Sequence, residues 1–186
     1  MKEWAELEEK FRHVTDKLGK HIDEGIFETV IALNALGLPT QMSCEGHSDR
    51  ALPYPWIDIH MIDVENLPAS TETPEIQELR TKLQQLQIEQ SKNPEVQQRS
   101  REAGKARIAS QYRIYQLLES FYKNRVVSYD RMITIKMNLR IQSQGGNFAE
   151  FLSPDERLQK LREYQEEMRY FTAFLKKLYF SKGSED

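Results

Sequence analysis

The chain has 186 residues, of which 39% are hydrophobic and 30% charged, with a net charge of −3 and one cysteine. This is the composition of a globular chain of one domain. It carries no global basic signal for nucleic acid, and the single cysteine excludes an internal disulfide framework and suits a reducing compartment. No stretch approaches the roughly 20 apolar residues of a membrane span, and the opening MKEWAELEEKF has no apolar signal core, so the expected protein is cytoplasmic and has no membrane role.

Residues 3–18 place Trp4, Leu7, Phe11, Val14 and Leu18 three and four apart, which predicts an amphipathic helix. Residues 23–36 are apolar on most sides and predict a buried helix. Asp23 and Glu24 suit its positive N-terminal end, and Gly37 suits its C-terminal cap. Two strands are expected next, over 38–43 and 56–62. In the second, Ile57, Ile59 and Met61 alternate with Trp56, Asp58 and His60, so one face is apolar and the other holds an indole, a carboxylate and an imidazole.

A polar connector, 64–74, leads to a segment with Ile76, Leu79, Leu83 and Leu86 in a narrow coiled-coil-like seam. Asn93-Pro94-Glu95 reads as a cap, a helix-starting proline and a first-turn acid. The helix it opens runs to about Asn124. Its second half is expected to pack on the body through Ile108, Tyr112, Tyr115, Leu118 and Tyr122, with Ile114, Leu117 and Phe121 beside them. Residues 131–144 alternate without a break from Ile133 to Gln142 and predict one long strand, ended by Gly145-Gly146. Ser153-Pro154-Asp155-Glu156 is a capping box that opens a final helix reaching about Lys177–Phe180.

The expected fold class is α+β. It has a small, mainly antiparallel sheet covered by helices, in a single domain over 1–186, with 75–106 as a projecting helical hairpin.

The densest chemistry lies in MSCEGHSDRALPYPWIDIH, residues 42–60. Cys44 and His47 have the Cys-x-x-His spacing of a ligand pair for zinc or another divalent ion, and His47, Asp58 and His60 form the expected metal set. Cys44 and His47 are also candidate catalytic residues, as a thiol and its base. Ser43, Glu45, Arg50 and Trp56, joined across the sheet by Arg140 and Gln142, are candidate ligand contacts. Arg50 would fork onto a carboxylate or phosphate, and Trp56 would stack on a base. Taken one by one, these residues have blander readings. A lone cysteine is often a small buried hydrophobe, and a polar strand face is often just solvated.

Between Lys92 and Arg125 there are eight bases and three acids, interleaved with Tyr112, Tyr115 and Tyr122. This could mark phosphate contacts and base stacking, but a solvated face with core tyrosines is favoured over nucleic-acid binding.

Residues 16–47, with Lys20, Asp23, Glu24, Ile26, Leu33, Asn34, Thr40, Ser43, Cys44 and Gly46, resemble the opening of the wybutosine-synthesis tRNA methyltransferase family. They also resemble bacterial and phage proteins with a Ser-Cys-x-Gly-His turn followed by Pro-Trp. The first family typically has a basic residue where His47 stands, and 64–186 has no counterpart of its cofactor-binding region. The resemblance therefore implies only a helix–strand–turn unit whose Ser-Cys-x-Gly turn lies at a functional surface.

Two functions follow as expectations. The first is a polar pocket at the Ser43–His47 turn and the 56–60 strand, binding a phosphate-bearing or nucleotide-like small molecule, with a divalent metal such as zinc as candidate cofactor. The alternative is a non-enzymatic interaction protein that forms a homodimer through its helical hairpin.

Overall fold

The computed structural model describes residues 2–16, 18–49, 52–60 and 93–182. They form helix α1 (Lys2–Arg12), α2 (Glu24–Ala35), strands β1 (Thr40–Cys44) and β2 (Trp56–Ile59), helix α3 (Pro94–Tyr122), strands β3 (Ile133–Ile135) and β4 (Arg140–Ser143), the short helix α4 (Gly146–Ala149) and the long helix α5 (Pro154–Lys182). The chain divides into two compact units, residues 1–60 with 111–186, and residues 61–110. Of the second unit, the described part is the helical stretch that begins at Asn93. The Leu seam of 75–90 lies outside the described residues. No helix among the described residues is long and apolar enough to cross a membrane.

The sheet is antiparallel throughout, in the order β1-β2-β4-β3. Its register aligns Ser43, Ile57, Ile141 and Ile135 across one face. Ile57, Ile59, Ile133, Ile135 and Ile141 on this face are buried, as are Ile26, Val30 and Ile31 of α2, Ile114, Leu118 and Phe121 of α3, and Met168, Phe171 and Leu175 of α5. These residues are the apolar core, and their burial is the main drive for folding. Phe121 packs edge-on against Phe171 with centroids 5.2 Å apart, and Thr29 bonds Thr172 at 2.7 Å inside the core.

The boundaries follow local chemistry. Gly37 takes φ +73° and ends α2, with the Leu38 N–H bonded to the Leu33 carbonyl at 2.9 Å. Arg113 donates to the Gly37 carbonyl at 3.2 Å, so a cation sits at the negative end of that helix. Asn93 accepts the Glu95 N–H at 2.9 Å, and Ser153 and Glu156 bond each other as the capping box requires.

Three expectations are corrected. The single strand over 131–144 is a hairpin of β3 and β4. The chain reverses at Lys136–Leu139, where the Lys136 N–H bonds the Arg140 carbonyl at 2.8 Å and Leu139 takes φ +63°. Buried Leu139 keeps the alternation running through the turn, which is why the sequence hides it. The first helix stops at Arg12, and Val14 and Leu18 are exposed. Asp16 folds the following residues into a turn by accepting the N–H groups of Leu18 and Lys20 at 2.8 and 2.9 Å. On α3, the packed stripe is Ile114, Leu118 and Phe121, and Ile108, Tyr112 and Tyr115 are exposed.

Candidate metal centre at the Cys44 turn

Cys44 is the last residue of β1, and the chain turns sharply at once. Gly46 takes φ +83°, and a Cβ there would lie 2.6 Å from the Tyr54 carbonyl carbon and 2.9 Å from the Pro55 nitrogen. Glycine is the residue that such a left-handed, crowded position accepts. The turn is held from outside by Gln165 of α5, which donates to the Glu45 carbonyl at 3.1 Å, and by the His47 N–H on the Leu52 carbonyl at 3.1 Å.

This turn faces the start of α2. The Asp23 carboxylate accepts the Glu45 N–H at 3.1 Å and lies 3.5 Å from Nε2 of His47. Cys44 completes the group, with one ligand atom from each of Asp23, Cys44 and His47 within 4.8 Å of the others. The cysteine is buried, whereas the His47 and Asp23 side chains keep 15% and 29% exposure.

The electrostatics suit a thiol that ionises only when something compensates it. Burial pushes the Cys44 thiol above its ordinary range, the Gly46 N–H opposes it from 3.4 Å, and the Asp23 and then the Glu45 carboxylates add to the upward push. A free nucleophilic cysteine needs the reverse, a neighbourhood that lowers its pKa. A divalent cation supplies that compensation, because a coordinated thiol gives up its proton.

Oxygen, sulfur and nitrogen donors are the set that zinc takes. At tetrahedral metal–ligand distances of about 2.0–2.3 Å, ligand atoms stand roughly 3.3–3.8 Å apart. The Asp23–His47 separation of 3.5 Å already falls there.

The sheet face opposite the core starts beside this group. Cys44 pairs with Trp56 in register, Trp56 with Gln142, and Asp58 with Arg140. Arg140 forks onto Asp58 at 2.7 and 2.8 Å and stacks over Trp56, 4.0 Å from the ring centroid. The Asp58 bonds hold the guanidinium firmly in its charged form. Gln142 donates to Asn147 at 2.9 Å, and the Tyr54 hydroxyl reaches the same oxygen at 3.1 Å.

The expected site residues thus divide. Cys44 and His47 meet with Asp23 in the candidate metal group, and Trp56, Arg140 and Gln142 meet with Asp58 on the sheet face. Glu45 flanks the group and bonds Gly25, whereas Ser43 pairs with Ile57 on the core side. His60 is exposed just past β2, where its N–H bonds the Pro39 carbonyl at 2.8 Å. Among the described residues, neither Asp58 nor His60 joins a convergent metal set. Arg50 lies outside the described residues. The third member of the group, Asp23, carries no metal-ligand signal in the sequence. A helix-start acid looks like an ordinary cap, and only the antiparallel return of β1 brings it to Cys44.

No protein-family model, curated protein or solved structure matches this chain.

Proposed function

We propose that the chain is a divalent-metal protein of the zinc class, with Asp23, Cys44 and His47 as ligands and a fourth position open to water or to an oxygen of a phosphate-bearing or nucleotide-like molecule. The observation that carries this reading is the convergence of the three donor atoms within 4.8 Å. Three protein ligands and one open position form the pattern of catalytic zinc, and a metal-bound water there would serve hydrolysis. Partial exposure of His47 and Asp23 supports an approach from solvent. The Trp56 end of the polar sheet face, opposite Cys44, is the neighbouring surface for the organic part of the ligand.

The test is to strip the protein with chelator and titrate it with Zn²⁺ and Co²⁺. One ion per chain is expected, with a thiolate-to-cobalt absorption band that Cys44→Ser abolishes and His47→Ala weakens. At a hundredfold excess over Kd, a ligand bound by the native state adds about 2.7 kcal/mol of stability. For a chain of this size, that raises Tm by roughly 5–10 °C. A wild-type protein that takes up no stoichiometric ion at micromolar concentration sinks the proposal.

A second reading is an interaction protein that self-associates through α3. The observation that favours it is the pair Tyr112 and Tyr115 at helical spacing, with exposures of 63% and 49%.

A further inference from the structure

Asp23 is the residue before α2, where an aspartate ordinarily turns its carboxylate onto the N–H groups of the first turn. Here it makes no such bond. The first-turn donor at Gly25 is taken instead by Oε2 of Glu45, at 2.8 Å, across 20 residues of sequence. The fit is close, since a Cβ on Gly25 would lie 2.6 Å from that oxygen. In return, the Glu45 N–H donates to Asp23 Oδ2 at 3.1 Å. The two acids have exchanged roles. Glu45 caps the helix by its side chain and tethers Asp23 by its backbone, and Asp23 is thereby free to face Cys44 and His47.

We infer that Glu45 is a positioning residue that sets the metal affinity of the centre by keeping Asp23 out of the helix cap. This rests on the metal reading above. With the Glu45 carboxylate removed, Gly25 regains an unbonded N–H. Asp23 stands at the cap position, where an aspartate has the reach and charge to take it. Its carboxylate would then swing from ligand to cap. Helix stability would be largely kept, because one cap replaces another, while the metal would lose its oxygen donor. Gln165, which holds the Glu45 and Gly46 carbonyls at 3.1 and 3.5 Å, keeps the turn backbone in place through that change.

The experiment compares wild type, Glu45→Ala and Glu45→Gln by Co²⁺ and Zn²⁺ titration, with thermal melts of the metal-free proteins. Glutamine retains an oxygen that can accept the Gly25 N–H, and alanine does not. The expected result is a 10–100-fold weaker metal affinity in Glu45→Ala, the range of supporting partners around a metal site. Glu45→Gln should stay within about threefold of wild type, and the metal-free Tm values should be similar. A general structural role would predict a lowered metal-free Tm without selective loss of metal, and that outcome overturns the inference. So does equal affinity in Glu45→Ala and wild type while wild type binds normally. If wild type itself binds no ion, the metal reading falls and takes this inference with it.

Discussion

At the scale of single residues, the Cys44 turn depends on Gly46. Two glycines with nearly the same backbone separate strain from crowding. Gly19 takes φ +76° with nothing within 4 Å of an added Cβ, whereas Gly46 takes φ +83° against the Tyr54 and Pro55 backbone and Leu161. A left-handed non-glycine residue alone costs about 1–2 kcal/mol. Gly19→Ala should therefore lose about that much. Gly46→Ala should lose more than about 3 kcal/mol, because its neighbours at 2.6 and 2.9 Å are main-chain atoms that cannot rotate away. Urea unfolding of both variants checks this, and equal losses would mean that the turn has room to relax. Residue types were enough to mark Cys44 and His47 in the sequence, because the two stand three positions apart. Asp23 was not legible, because its role depends on a long-range contact and on Glu45 having taken its cap.

At the scale of elements, caps were the most readable feature. The Asn93, Ser153 and Gly37 signals all stand where their side chains or backbone freedom dictate. The β3–β4 hairpin was the least readable, since period-two alternation says which face a residue takes and nothing about whether the chain has reversed. The α3–β3–α5 junction was also hidden, because it rests on buried charge. Glu167 is fully buried on α5 and receives Arg125 at 2.9 and 3.0 Å, with Arg131 at 3.8 Å. Burial above all, and the Glu167 carboxylate beside it, push the Tyr122 hydroxyl well above the tyrosine range, so it stays protonated while it accepts the Ile133 N–H at 2.7 Å. Removing one partner of a buried pair costs about 3–5 kcal/mol, whereas replacing both by apolar groups is often neutral. Arg125 keeps 30% exposure and Arg131 stays 3.8 Å from Glu167, so Arg125→Ala should fall near the lower end of that range, with loss of its stacking on Phe121 and Tyr170 included. The double variant Arg125→Met with Glu167→Leu should be more stable than Arg125→Ala in the same unfolding assay. A double variant as weak as the single would show that the charges themselves stabilise the junction.

At the scale of the whole molecule, the question is what α3 does with its exposed pair. The body takes Ile114, Leu118 and Phe121 and leaves Tyr112 and Tyr115 uncovered on the same helix. Three residues at about 1.5 Å each span roughly 4.5 Å, less than one turn. A stable interface buries about 800 Å² per partner, and two partly exposed side chains on one turn supply only a fraction of that. If the pair mediates self-association, the dimer should be weak, with a Kd of tens of micromolar or more, and should dissociate on dilution. Sedimentation of the intact chain from 5 to 200 µM should then show a concentration-dependent mass. Tyr112→Glu should shift it to monomer with an unchanged Tm, since an exposed position carries little folding energy. A wild-type chain that stays monomeric at 200 µM would remove the self-association reading and leave the Cys44 turn as the working part of the molecule.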